Sequence, residues 1–339
     1  MRKAKRLFCA ALCAALVFLT ACGEAKDGRL MSDPEPTADS QSERSEGINA
    51  TAVRNTESSI TTSESEKPSD VKKFTRIETG EKCDQTESGF APLPEVSFQV
   101  TDSDNTAGLS EKKVGHSHGP ASDGKAHYTV VEFQKLFDRY GALTLDNRSD
   151  EKNVYLTFDC GWENNNLTAK ILDTLKDKQV PAAFFCTLTH IKQQHELILR
   201  MIREGHIVGN HSVTHPSFPS ISREKMAEEI LGLENYMRVN YGYNAKYFRF
   251  PAGEYSESAL QLVQSMGYMS VFWSLAYDDW DVTKARGAQY TVDTVMSRLH
   301  PGAVILLHSV SEDNAAALGE LIDRIRAEGY TFRSLDDYH

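Results

Sequence analysis

The chain has 339 residues, a formal net charge of −11, and 40% hydrophobic and 25% charged residues, enough apolar content for a sizeable core in one large or two ordinary domains. From Gly23 to about Thr106 roughly 18 acids face 9 bases, about −9 of the −11, so the remainder is nearly neutral. A strongly basic face for nucleic acid is thereby excluded, and the acidity describes one segment and says little about a substrate.

Residues 1–21 read as an export signal: Arg2, Lys3, Lys5 and Arg6 precede an apolar run that ends in small residues and is too short to favour a spanning helix. The sequence Leu19-Thr20-Ala21-Cys22 resembles a bacterial lipobox, in which Cys22 takes a lipid and becomes the mature N-terminus. An ordinary secretory signal that happens to contain a cysteine is the other reading. A lipid on Cys22 would anchor the protein without spanning the bilayer, on the extracytoplasmic face of a bacterial cell membrane. Residues 22–107, rich in Ser, Thr, Glu, Asp and Lys without a sustained period, are expected to form a disordered, solvated linker. Of six cysteines, Cys9 and Cys13 leave with the signal and Cys22 is acylated, so Cys83, Cys160 and Cys186 remain, too few for a disulfide framework.

Residues 108–150 read as a lead-in with one helix. Within Tyr128 to Ala142, residues Val131, Phe133, Leu136, Phe137 and Tyr140 have near-helical spacing, and Gly141 suits a C-cap. The HSHG run from His116 to Gly119 is expected in an exposed loop. Residues 151–339 then alternate. Strands are expected at Val154–Phe158, Ala182–Cys186, His206–Gly209, Tyr247–Phe250, Met269–Trp273 and Ala303–Leu307. Helices are expected at Leu167–Lys178, His195–Glu204, Arg223–Tyr241, Ser256–Met266, Tyr290–Leu299 and Asp313–Glu328. Such alternation argues for an α/β domain of parallel strands with crossover helices, whose chemistry collects where strands end.

Polar residues stand at those ends. GNHSVTHP places His211 and His215 at i and i+4 after an apolar strand, a spacing that lets two imidazoles meet one metal. Asp159 closes the first strand, Arg249 lies in FRFPAGEYS, Asp279 and Trp280 follow WSLAY, and His308 ends AVILLH. Each alone has an ordinary structural reading; the set of them at strand ends points to one site. His206 reads as structural at a strand start, and His190, His195 and His300 fall in expected connections or helix faces with no chemistry assigned.

With these residues in place the sequence resembles the polysaccharide deacetylase family, the carbohydrate esterases that share the NodB homology domain. The family's five ordered motifs stand here as TFDC, HSVTH, RFPAG, DDW and LLH, from about Glu151 to the C-terminus. The resemblance implies a distorted barrel of parallel strands surrounded by helices, and metal-dependent removal of acetyl groups from sugars. Within the family the chain looks most like the enzymes that deacetylate muramic acid in peptidoglycan, a step toward muramic δ-lactam in spore cortex, through GWEN, HIVGNHSVTHP, WSLAYDDW and the tail from LLHSVSEDN. N-acetylglucosamine polymers, O-acetyl xylan, and a catalytically silent glycan-binding lipoprotein are the alternatives. A monomer with a glycan substrate is expected.

The resemblance also implies roles. His211 and His215 hold a divalent ion, Zn2+ first and Co2+ or Mn2+ as alternatives; Asp159 is the base; His308 is the acid that protonates the leaving amine. Arg249 orients Asp159, Asp279 steadies the charged network around Arg249 and His308, and the backbone N–H of Ala252 serves the oxyanion. Pro251, Trp280 and Leu306 shape the groove. The family's usual third ligand is a second acid after the base, and here Cys160 stands there. Three readings of Cys160 are open: a thiolate ligand, a small neutral filler, or a disulfide with Cys186.

Overall fold

The computed structural model describes residues 77–79, 89–148 and 150–338. The signal at 1–21, Cys22, Cys83 and most of the linker lie outside these residues. The expected linker boundary at 107 does not: β1 (Ile77–Thr79) pairs antiparallel with β2 (Glu95–Ser97), and β2 is bonded to a long helix. Val96 N–H donates to Asn235 Oδ1 (2.8 Å) and Asn235 Nδ2 donates back to the Val96 carbonyl (2.9 Å). Buried Val96 anchors this segment, so the packed chain begins well before residue 108.

The lead-in carries β3 (Val114–Gly115) and α1 (Tyr128–Phe137). The main domain then runs β4 (Asn153–Cys160), α2 (Leu167–Lys178), β5 (Ala183–Cys186), α3 (Leu188–Gln193), α4 (His195–Arg203), β6 (Ile207–Asn210) and α5 (Arg223–Tyr241). It continues through β7 (Tyr247–Phe248), β8 (Glu254–Tyr255), α6 (Glu257–Ser265), β9 (Met269–Ser270), α7 (Ala288–Ser297), β10 (Ala303–His308), α8 (Glu312–Ala327) and β11 (Thr331–Arg333). The α3 helix, β11 and the antiparallel β3–β8 pair have no counterpart in the expected elements.

Among the described residues, seven strands form one sheet in the order β10-β4-β5-β6-β7-β9, with β11 beside the start of β4. All its pairings are parallel. Bridges of Leu143 with Val271, Leu145 with Ala303 and Leu275 with Ile305 link β9 back toward β10, giving a curled, distorted barrel with surrounding helices. Its strands are nearly continuous apolar runs because both faces are covered. Along β4, Leu156, Phe158 and Cys160 pack outward with α2 and α8, whereas Tyr155 belongs to an inner cluster with Ala183, Phe185 and Val304. Thr157 and Asp159 continue that inner face, since successive side chains alternate.

Candidate active site

The polar ends of the inner face converge at the C-terminal mouth of the sheet. Register places Asp159 between His308 of β10 and Phe185 of β5 as Cα partners. Arg249, the first residue after β7, is fully buried. Its Nη1 donates to Asp159 Oδ1 (2.8 Å), Nη2 to Thr157 Oγ1 (3.0 Å) and the Phe272 carbonyl (3.2 Å), and Nε to the Val271 carbonyl (2.9 Å). The guanidinium lies over the Phe185 ring, 4.1 Å from its centroid. Gly209 makes room for that ring: a Cβ there would meet Phe185 Cδ1 at 2.4 Å. Burial pushes the Asp159 carboxyl upward, but Arg249, then His211 and His308, outweigh it and hold the group below the ordinary carboxylate value.

His211 follows β6, and its Nδ1–H donates to the Arg249 carbonyl (2.8 Å). The lone pair is therefore on Nε2, 3.6 Å from Asp159 Oδ2. His215 stacks edge-on to it with ring centroids 4.7 Å apart. Its backbone is left-handed (φ 59°) and its N–H donates to Ser212 Oγ, which brings the i, i+4 pair together without a helix. Burial lowers the pKa of both rings, that of His211 to about 4, so both are neutral near pH 7 and their lone pairs are available to a cation. This donor set fits a divalent cation, with the second nitrogen of His211 fixed by a carbonyl as metal-binding histidines commonly are.

His308 stands on the other side. Its Nδ1–H donates to Asp279 Oδ1 (2.8 Å), and Asp279 Oδ2 accepts from the His308 backbone N–H (2.7 Å) and from Asn314 Nδ2 (2.5 Å). Asn314 in turn accepts from the Tyr277 hydroxyl (2.5 Å). Burial lowers the His308 pKa, but the bond to Asp279 and the charges of Asp279 and Asp159 more than reverse this, leaving it raised. Asp279 thus holds His308 and Asn314, while Arg249 is tied to Asp159; the two halves of the expected network are separate clusters facing each other.

These groups line a cleft of about 800 Å³ with Asp159, His211, His215, Ala252, Leu306 and His308 on its wall. Ala252 has left-handed backbone (φ 53°, ψ 14°) inside a 3-10 turn, an unfavourable conformation of the sort found at functional sites. Trp280 and Trp162 flank the cleft, 60% and 48% exposed, offering apolar ring faces to a sugar. Pro251 is buried and is not part of the wall; it begins the turn that carries Ala252.

Cys160 is not on this wall either. It is fully buried on the outer face, where its sulfur neighbours Cys186 and His190, because β4 runs extended through residue 160 and alternation turns it away from Asp159. It is a free thiol, as is Cys186. Ligation of the same ion as His211 and His215 is therefore set aside, as is the disulfide.

Asn314, Tyr277, Arg298, Trp162 and His118 also belong to the site or its support and were not anticipated. The HSHG run is not an exposed loop: His116 Nε2–H donates to the Trp273 carbonyl (2.7 Å), and His118 lines the cleft, donating to the Ala276 carbonyl (2.8 Å) and accepting from Trp273 Nε1 (3.1 Å). No signal in the sequence pointed to this: His118 and Trp273 are 155 residues apart and only the fold brings them together.

Residues 146–271 match the sequence profile of the family described as polysaccharide deacetylase. An uncharacterized 30.6 kDa protein of Geobacillus stearothermophilus is 44% identical over 223 residues, 66% of this chain and 81% of that protein. The peptidoglycan-N-acetylmuramic acid deacetylase PdaA of Bacillus subtilis is 40% identical over 222 residues, 65% of this chain and 81% of its own. The solved structure of that PdaA, a family 4 carbohydrate esterase, superposes with a TM-score of 0.64 at 37% identity, covering 67% of this chain and 97% of that one. The chain belongs to the polysaccharide deacetylase family and is a family 4 carbohydrate esterase.

Proposed function

We propose that the chain removes the N-acetyl group from N-acetylmuramic acid in peptidoglycan, working from a lipid-anchored position on the outer face of the cell membrane. The observation that carries the chemistry is the pairing across one cleft of an ionised Asp159 with a proton-bearing His308. A divalent ion held by His211 and His215, zinc first, would polarise the acetyl carbonyl and acidify water. Asp159 accepts the proton of the attacking water, its geometry set by Arg249. The Ala252 amide, at the cleft wall, donates to the oxygen that gains charge. As the C–N bond breaks, His308 delivers the proton from Nε2, the nitrogen left over once Nδ1 is bonded to Asp279, and acetate and a free amine result. Retention of all these groups disfavours a silent glycan-binding relative.

The choice of sugar is supported by the 40% identity to the muramic acid deacetylase and by Arg298. Muramic acid differs from glucosamine by a lactyl ether that ends in a carboxylate. Arg298 is the cleft's one Lys or Arg among the described residues. Its Nη1 donates to the Ala276 carbonyl (2.8 Å), and no carboxylate of the described residues pairs with it, so its remaining donors suit a substrate carboxylate. The amine set free beside such a carboxylate can close to a lactam, which fits a role in spore cortex. No described helix is long and apolar enough to cross a membrane; the anchor in this reading is the lipid on Cys22, with the acidic linker giving reach to the wall. The test is incubation of the enzyme with peptidoglycan, with and without stem peptides, and mass-spectrometric identification of the sugar that lost acetyl. Acetyl loss confined to glucosamine refutes the muramic reading, and no acetate with zinc, cobalt or manganese supplied refutes the chemistry.

A further inference from the structure

Directly behind Asp159, the outer face of the sheet holds metal-ligating side chains that deacetylation does not use. Cys160 ends β4, Cys186 ends β5, and the two are partners in the parallel register. His190 stands four residues beyond Cys186, in α3. One ligand atom from each lies within 4.8 Å of the other two, and all three side chains are fully buried. Among the described residues, no other trio of His, Cys, Asp or Glu groups is drawn so close.

A second observation points the same way. Both ring nitrogens of His190 are shut from solvent, and neither has a hydrogen-bond partner. A neutral imidazole carries one donor and one acceptor, and a buried polar group left unpaired is destabilising. The thiols do little to help: Cys186 Sγ finds the Phe184 carbonyl at 3.7 Å. An ion that takes the ring's lone pair removes the acceptor's deficit and gives both sulfurs a strong partner.

The geometry points to a second metal centre, separate from the His211–His215 cleft, in which Cys160, Cys186 and His190 hold a thiophilic d10 cation, Zn2+ or Cu+. Two thiolates and a neutral imidazole cancel the charge of Zn2+, and soft sulfur selects these ions over magnesium, calcium or manganese. Metal–ligand bonds of about 2.0–2.3 Å require only contraction of a trio already gathered. The site is closed to solvent on every side, so its role is structural. It joins β4, β5 and α3, and two backbone bonds carry that fastening to the cleft. Thr187 N–H donates to the Cys160 carbonyl and His211 N–H to the Cys186 carbonyl, both at 3.1 Å. The ion would therefore hold the strand ends that present Asp159 and His211.

The experiment uses the full chain carrying His211→Ala and His215→Ala, which empties the cleft site. It is refolded under reductant with Zn2+ in one arm and Cu+ in another, desalted, and its metal content measured. About one equivalent is expected to remain in one arm, naming the ion, and to be lost on adding Cys160→Ser or His190→Gln. Because those variants can misfold, the same double variant is also refolded with Co2+, with all three ligands intact. Sulfur-to-cobalt charge-transfer absorption in the near ultraviolet is expected, which an imidazole-only site lacks. A folded double variant that keeps neither ion and shows no such band overturns the proposal, as does a Cys160–Cys186 disulfide found by mass spectrometry in the native protein.

Discussion

Asp159 and Cys160 are consecutive in β4, yet they belong to two unlike regions. The inner face at the strand ends is polar and open to the cleft, and its charged groups are matched: Arg249 to Asp159, Asp279 to His308, Asn314 to Asp279. The outer face is sealed among Leu156, Phe158 and Phe184, and there the His190 nitrogens are unmatched. One strand thus builds two chemistries because its side chains alternate. Changes on the inner face should alter turnover and pH dependence while sparing the fold, whereas changes among the apolar residues of the outer face should do the reverse.

The largest effect is expected from Asp159→Asn. It keeps size and polarity but removes the base, and general-base catalysis is worth roughly 10²–10⁴-fold. Acetate release should fall by that factor, with a circular-dichroism spectrum and histidine-dependent metal content unchanged. Turnover close to wild type would refute the assignment of Asp159.

Next comes Asp279→Asn, read through the pH profile. Asp159 is held ionised below the ordinary carboxylate range, so it sets no limb near neutrality. His308 is raised above its ordinary 6.5, and the acid must be protonated, so activity should decline as pH rises through that raised value. Removing the Asp279 charge lowers the His308 pKa and should move the alkaline limb to lower pH; an unmoved limb would remove His308 from the acid role. Stability follows the same sign. The contribution of the His308–Asp279 pair is fully present below the unfolded histidine value and is lost as pH rises through the folded one.

A smaller change is expected from Arg298→Ala. Loss of one charge-assisted bond of about 1.5–3 kcal/mol should raise KM roughly ten- to a hundred-fold for glycan with free lactyl carboxylates. It should leave kcat, and any turnover of carboxylate-free N-acetylglucosamine oligomers, unchanged. Equal losses on both substrates would deny Arg298 a part in choosing the sugar.

Much of this arrangement was legible in the sequence, for local reasons. Apolar runs bounded by helical periods mark β4, β5, β6 and β10, and polar residues at their ends mark the mouth of the sheet. The face of Cys160 was legible too: in VYLTFDC a period of two groups it with Leu156 and Phe158 and against Asp159. Asn314 and Arg298 were not, because nothing near Asn314 in the chain says that α8 delivers it to Asp279, 35 residues away. Short β11, α3 and the β3–β8 pair carry too few residues to show a period, and tertiary contacts define them.

The smallest change tests the division of faces on a second strand. In β10, Ile305 packs outward into the layer shared with α2 and α8, while its neighbour Leu306 lines the cleft. Ile305→Val removes one methylene from a fully buried site and should cost about 0.5–1.5 kcal/mol of stability. Its backbone carbonyl, which accepts from Thr157 Oγ1 (2.7 Å), is untouched, so the hydroxyl that supports Arg249 keeps its place. Denaturant unfolding should therefore show the loss, while kcat and KM stay at the wild-type values. A drop in kcat with intact stability would mean that the outer layer steers Asp159 through the strand, and the two faces would no longer be separable.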